Sequence, residues 1–313
     1  MAVGVFVTGV PHESNTGRRP FGKRNVYLSR LFLKTMKNTF KMLVCAAAVL
    51  LLAGCATSRK AEKRLPEMGK LEWSKKLQKA DQDFVVELSG LCLSKDKDFL
   101  WGVGDNGNLY KINFDGTYDN HWYHDADLEG ITMDPATGIL YLDVEPSRVY
   151  KMMPPDYNEK ETVIQVEEAA RLRNDGIEGI AWYKGDLYLG AQTKAMLWKY
   201  SPDGRKLEDA RSLRDIAPTL SEIADLCYDQ EGDFLWVMDS NKRSREVPDM
   251  KPFTLYLFDG AATTLLATYD LSAFANWNPE SVCVDRAHGC IWIADDCGDD
   301  NPSILHKVKF SNL

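Results

Sequence analysis

The 313-residue sequence contains no G-x-S-x-G elbow, no H-E-x-x-H helix motif, no P-loop and no dinucleotide fingerprint. Those absences remove the motif-based routes to serine hydrolysis, zinc proteolysis, nucleotide hydrolysis and nicotinamide chemistry. Histidine is scarce, with five residues (His12, His121, His124, His288 and His306), so few side chains titrate unperturbed near neutrality. Basic residues are outnumbered, 38 Lys+Arg against 46 Asp+Glu, for a net charge of −8. A phosphate backbone needs a basic surface, so nucleic acid is excluded as the main partner. The apolar run at 42–52 stops at eleven residues, short of the roughly 20 that a membrane-spanning helix requires. Wholesale disorder is excluded too, because 44% of residues are hydrophobic and 27% charged, an ordinary globular balance.

The charge is uneven. Residues 1–54 hold eight basic residues and one acid, which leaves 30 basic and 45 acidic residues, a net of −15, in 55–313. Residues 36–55 read MKNTFKMLVCAAAVLLLAGC: basic Lys37 and Lys41, a short apolar core, then Leu-Ala-Gly-Cys. This order and length are those of a signal peptide. The ending resembles a bacterial lipobox, with Cys55 as the lipidated residue. A signal opening at Met36 makes residues 1–35 a mis-called start. Residues 55–69 read as a polar tether and 70–313 as the folded domain. Removing Cys45 and Cys55 leaves Cys92, Cys227, Cys283, Cys290 and Cys297, an odd number, so at least one thiol stays free in a disulfide-permissive compartment.

The folded part repeats itself. Five units open at Ser89, Glu129, Glu178, Ala224 and Glu280, spaced 40, 49, 46 and 56 residues apart. Each reads strand, turn, strand, turn, strand, with an aromatic fixed on the second strand (Trp101, Tyr141, Tyr188, Trp236, Trp292). Asp-Gly turns recur at 115–116, 203–204 and 259–260. Repeats of this length and pattern predict an all-β fold, a single β-propeller of five blades, or six if a degenerate blade hides in an insertion. The last unit shows three strands, and the stretch 71–77 can supply the missing outer strand, closing the ring. Residues 165–174 read as a short helix between blades.

Topology then gathers acids. The start of strand one lies beside the end of strand two, and strand one of a propeller lines the central channel. Strand-two ends carry Asp105, Glu145, Gln192, Ser240 and Asp296, with Asp239 and Asp295 one residue earlier. Glu129, Glu178 and Glu280 are therefore expected to hold a cation at one channel mouth, with Ser89, Asp105, Glu145, Gln192, Asp225, Asp239, Asp295 and Asp296 around it. Glu87 and Glu222 stand two residues upstream of the units that lack the repeat Glu. Crowded carboxylates raise each other's pKa or require a cation, and a flexible oxygen-rich ring suits Ca²⁺. The competing reading gives these acids backbone N–H partners in the next blade. Cys92, Cys227 and Cys283 share one place in three repeats and read as small core residues. Cys290 and Cys297 either form a disulfide or leave Cys297 facing the channel. The acidic loop 295–301 reads as a solvated hairpin, the outer-strand His121 and His124 as surface, and the basic Lys242, Arg243 and Arg245 as a solvated loop or an anion contact.

The series L-S-G-L, L-E-G-I, I-E-G-I, I-A-D-L and P-E-S-V, each followed by an aromatic strand ending in an acid, resembles the SdiA-regulated (YjiK-like) β-propeller family over residues 80–313. It is also similar to phytase-like and esterase-like propellers. The resemblance implies an envelope protein with calcium in the propeller and phosphoester hydrolysis as an associated activity. Ala224 and the long fourth-unit insertion depart from a complete ring of Glu. The expected protein is a monomer, lipid-anchored to the inner or outer membrane. It is expected to take a divalent cation, calcium, with a small-molecule or protein ligand, and either binds only or hydrolyses phosphoesters or related esters.

Overall fold

Short runs of alternating and fully apolar residues, separated by Gly, Asp and Pro turns, favour antiparallel strands over helices. The computed structural model describes residues 64–80, 83–172, 176–240, 253–273, 275 and 278–313. The leader, Cys55, most of the tether and the basic residues 242–245 lie outside the described residues.

The chain enters through β1 (Glu67–Lys76). Blade one is β2 (Leu88–Leu93), β3 (Leu100–Gly104), β4 (Asn108–Ile112) and β5 (Tyr118–Tyr123). Blade two is β6 (Leu128–Met133), β7 (Leu140–Val144), β8 (Arg148–Met152) and β9 (Lys160–Gln165). Blade three is β10 (Ile177–Tyr183), β11 (Asp186–Ala191), β12 (Met196–Tyr200) and β13 (Lys206–Ser212). Blade four is β14 (Asp225–Asp229), β15 (Phe234–Asp239), β16 (Thr254–Asp259) and β17 (Leu265–Asp270). Blade five is β18 (Pro279–Asp285), β19 (Cys290–Asp295) and β20 (Ile304–Ser311), with β1 as its outer strand. The result is five four-stranded antiparallel sheets, a five-bladed propeller.

The closure follows the expectation and starts earlier than it. Glu67 pairs with Ser311 and Met68 with Phe310, so residues 67–69 belong to the blade and not to the tether. The Tyr269 hydroxyl donates to the Pro66 carbonyl at 2.6 Å, fixing the entry point. The helix expected at 165–174 is a single 3-10 turn, Ala169–Arg171, tied down by the fully buried Ala169.

The fixed aromatics explain why the blades stack. Each is buried, and each sits between a small inner-strand residue and a third-strand partner: Cys92–Trp101–Lys111, Thr132–Tyr141–Lys151, Ala181–Tyr188–Lys199, Cys227–Trp236–Leu257 and Cys283–Trp292–Lys307. Every blade interface carries an aromatic pair. These are Trp101–Tyr157 at 5.2 Å, Tyr141–Trp182 at 5.5 Å, Tyr183–Tyr228 at 4.8 Å, Trp236–Phe310 at 5.6 Å and Trp292–Phe114 at 5.3 Å. Each such pair contributes about 0.5–1.5 kcal/mol beyond its burial. The apolar core is accordingly five clusters, one between each pair of neighbouring blades.

Candidate metal centre at the channel mouth

The repeat residues are aimed by β-bulges. The inner strand slips register against its neighbour between Leu88 and Gly90, Leu128 and Ile131, Ile177 and Gly179, and Pro279 and Ser281. A bulge leaves one residue out of the ladder and redirects its side chain. The residues so released are Ser89, Glu129, Glu178 and Glu280. Blade four, with Ala224 at this place, pairs in regular register from Asp225↔Met238 to Asp229↔Phe234. Glycine after the bulge permits the inner strands to converge. A Cβ on Gly90 would lie 2.8 Å from the Gly130 Cα, and one on Gly179 would lie 2.9 Å from the Asp225 Cα.

Two carboxylate trios result. One oxygen each from Asp105, Asp127 and Glu129 lie within 4.8 Å of one another, as do oxygens of Glu129, Glu145 and Glu178. Glu129 belongs to both. The Ser89 hydroxyl donates to Asp105, and the Gly176 N–H donates to Glu145 at 3.2 Å. Glu280 accepts from the Asn278 amide at 2.6 Å. Among the described residues no Lys or Arg pairs with Asp105, Asp127, Glu129 or Glu145.

Protons respond accordingly. Burial, reinforced by the charges of Glu178, Asp105, Glu280 and Asp127, pushes Glu129 well above the usual carboxylate range. Burial and then Glu280 push Asp105 up to about 8, against the Ser89 hydrogen bond. Glu87, on the chain entering β2, rises to about 7 through burial and its neighbour Asp299. Burial also raises Asp127 and Glu145. Desolvated, mutually repelling oxygens are what a hard cation relieves.

No family model and no curated protein sequence matches the chain. Solved structures do. The chain is similar to the glutaminyl cyclase of Myxococcus xanthus at 15% identity, with 78% of this chain and 96% of that one covered and a TM-score of 0.54. It is also similar to a luciferin-regenerating enzyme at 13% identity, with 76% and 95% covered and a TM-score of 0.48. At such identity the first likeness shows the fold, in agreement with the five sheets.

The remaining expected residues divide. Asp225 is fully buried and its carboxylate accepts the backbone N–H groups of Leu226 and Val282, each at 2.7 Å. It ties blade four to blade five, which is the backbone-partner role weighed against a ligand role. Asp239 accepts the Ser221 N–H at 2.8 Å and its hydroxyl, and Glu222 accepts the Ser240 hydroxyl at 2.5 Å. Asp295 faces His306 at 3.2 Å, whose other ring nitrogen lies 2.7 Å from the Ser74 hydroxyl. That line of contacts crosses from β19 to β1, within blade five. Asp296 accepts the Gly298 N–H at 2.8 Å. The buried Gln192 caps β11, its own N–H bonded to Gly176 O at 3.2 Å.

Two acids escaped the sequence reading. Asp127 stands two residues before Glu129, the same offset as Glu87 from Ser89, and that offset was the available signal. Asp143 is fully buried, held high by burial, and accepts the Gly130 N–H at the bulge. Three further corrections concern smaller groups. Cys290 and Cys297 are both free and buried, so no disulfide joins them. His124 is buried beside the Gly107 turn and not on the surface, and burial lowers its pKa. Cys227 is only half-buried and lines a cavity, unlike an ordinary core thiol.

Proposed function

We propose that this protein is a lipid-anchored propeller of the bacterial cell envelope, similar to the SdiA-regulated family, that binds calcium and a ligand at its acidic channel mouth. The observation carrying this reading is the pair of carboxylate trios joined at Glu129. Glu129, Glu178 and Glu280 are the ligands of first choice, with Asp105, Asp127 and Glu145 completing an oxygen shell. Calcium accepts six to eight oxygens at irregular angles, which suits carboxylates delivered by separate blades better than the strict octahedron of magnesium. Titration calorimetry on the chelator-treated full chain tests the reading. Heat on Ca²⁺ addition, lost in the double substitution Glu129→Gln plus Glu178→Gln, is expected. No heat, or equal heat from the double variant, refutes it.

A second reading, a metal-dependent hydrolase of phosphoesters or related esters, has its own support in Glu87. A carboxyl held near 7 beside the acid cluster exchanges its proton at physiological pH, as a general base must. The cation would polarise the substrate and lower the pKa of a bound water. A panel of phosphomonoesters and lactones with Ca²⁺, Mg²⁺ or Mn²⁺ separates the two readings. Turnover abolished by chelator and by Glu280→Gln favours the enzyme.

A further inference from the structure

A second constellation lies in blade five and shares no residue with the carboxylate trios. The Ser74 hydroxyl on β1 is 2.7 Å from His306 Nδ1 on β20, although the two residues are 232 apart in sequence. His306 Nε2 is in turn 3.2 Å from Asp295 Oδ2 on β19. The sheet imposes this arrangement. Ser74 pairs directly with His306. The Leu77 N–H donates to the Ser303 carbonyl at 2.9 Å, which fixes the alternation along the pair. Trp73 and Lys75 turn their N–H groups to β20, while Ser74 and Lys76 turn theirs away. Ser74 and His306 thus form a non-hydrogen-bonded pair, with Cα atoms about 4.5 Å apart, where side chains stand closest. On β19, His306 faces Ile293, and Asp295 stands two residues further along the same face.

Blade five departs from the repeat here. One residue before the partner of the fixed aromatic, the other blades carry Tyr110, Tyr150, Trp198 and Tyr256. Blade five carries His306. A large ring fills the place by packing alone, so a histidine between an acid and a hydroxyl is not what stacking demands. Burial is graded as well. Ser74 is exposed, His306 is 2% exposed and Asp295 is fully buried.

The geometry points to Ser74, His306 and Asp295 as a nucleophilic triad that hydrolyses small, unhindered carboxylic esters. Such triads are defined by roles and geometry, not by sequence position, so the missing G-x-S-x-G elbow does not argue against one. Asp295 accepts the Nε2–H, which leaves Nδ1 as the acceptor for the Ser74 proton. Ser74 Oγ bonds to the acyl carbon and its proton passes to His306 Nδ1. The tetrahedral adduct then expels the alcohol, which leaves with that proton. Water attacks the acyl-serine next, giving its proton to His306, and the carboxylic acid departs as Ser74 regains it. The Ser74 N–H, on the open side of the outer strand, is the backbone donor for the oxyanion. A single donor on an exposed edge makes turnover slow and selects acyl groups that need no enclosing pocket. No step draws on the cation proposed at the channel mouth.

The test is hydrolysis of para-nitrophenyl acetate by the full chain with chelator present, together with labelling by a fluorophosphonate. Slow, saturable hydrolysis and one adduct on Ser74, located by peptide mass spectrometry, are expected. Both should be lost in Ser74→Ala, which removes one exposed hydroxyl and whose folding circular dichroism checks. Both should fall roughly a hundredfold or more in His306→Gln. Asp295 acts through His306 as a positioning residue, so Asp295→Asn should lower kcat with KM unchanged, a split that a purely structural carboxylate would not produce. Equal hydrolysis by folded Ser74→Ala overturns the proposal, as does wild-type protein with no turnover or no adduct on Ser74. Hydrolysis that chelator abolishes overturns it too and returns the activity to the channel mouth.

Discussion

Removing the cation should make the protein less stable as pH rises, and Asp105 sets the window. Its carboxyl has an ordinary value of 3.8 and stands at about 8 in the folded chain. Between those values the folded state holds a proton that the unfolded chain has lost. Stability is therefore full below about pH 4 and declines as pH climbs to about 8, the opposite of the usual salt-bridged carboxylate. Each pH unit is worth about 1.4 kcal/mol for one such group. Asp105 is partly solvated and its titration is tied to the charges of Glu280, Asp127 and Glu87, which reduces the net effect to about 2–3 kcal/mol across the interval. For a domain of this size that is a fall of roughly 5–10 °C in Tm between pH 5 and pH 8. The assay is thermal unfolding in chelator at several pH values, run on wild type and on Asp105→Asn. The amide keeps an oxygen for the Ser89 hydroxyl and cannot ionise, so the difference between the two curves isolates the group. The variant should lose much of the decline. Saturating Ca²⁺ should restore wild-type stability at pH 8, by about 2.7 kcal/mol at a hundredfold excess over Kd. A wild-type midpoint that stays flat or rises relative to Asp105→Asn refutes the reasoning.

Asp225→Ala leaves the Leu226 and Val282 N–H groups buried without their acceptor, and urea unfolding should show a loss of about 2–5 kcal/mol. Trp292 is fully buried between blades five and one, so Trp292→Ala should cost about 3–5 kcal/mol in the same assay. Deleting Glu67–Lys76 exposes the edge of β20, and size-exclusion chromatography should show self-association that the full chain lacks.

The architecture was legible because the repeat is a packing unit. A buried aromatic must recur wherever a blade stacks on the next, so its spacing in the sequence counts the blades. The closing strand was legible for the complementary reason that one unit ended a strand short. The site was legible only to the level of the ring. Glu129 and Glu178 were readable because a polar residue at the head of an apolar strand needs a reason. Asp225 and Asp239 have the same composition signal, yet the oxygens of Asp225 end on backbone N–H groups and those of Asp239 on the N–H and hydroxyl of Ser221. Whether an acid joins the carboxylate cluster or meets an amide depends on the bulges. A bulge is a difference of one residue in register between two strands, and the pattern of a single strand does not contain it.

The pairing of Glu67 with Ser311 places the first and last residues of the closing pair side by side. Because the two strands run antiparallel, a load that pulls these ends apart acts on one hydrogen bond at a time, starting at the pair nearest the termini. The blade that completes the ring is also the blade that would unzip under tension, while a load between two interior loops would have to shear whole sheets. Force applied along the chain thus has a defined point of failure. A short linker across the same pair, with new ends cut in a loop elsewhere, should move that point to another blade and leave the propeller intact.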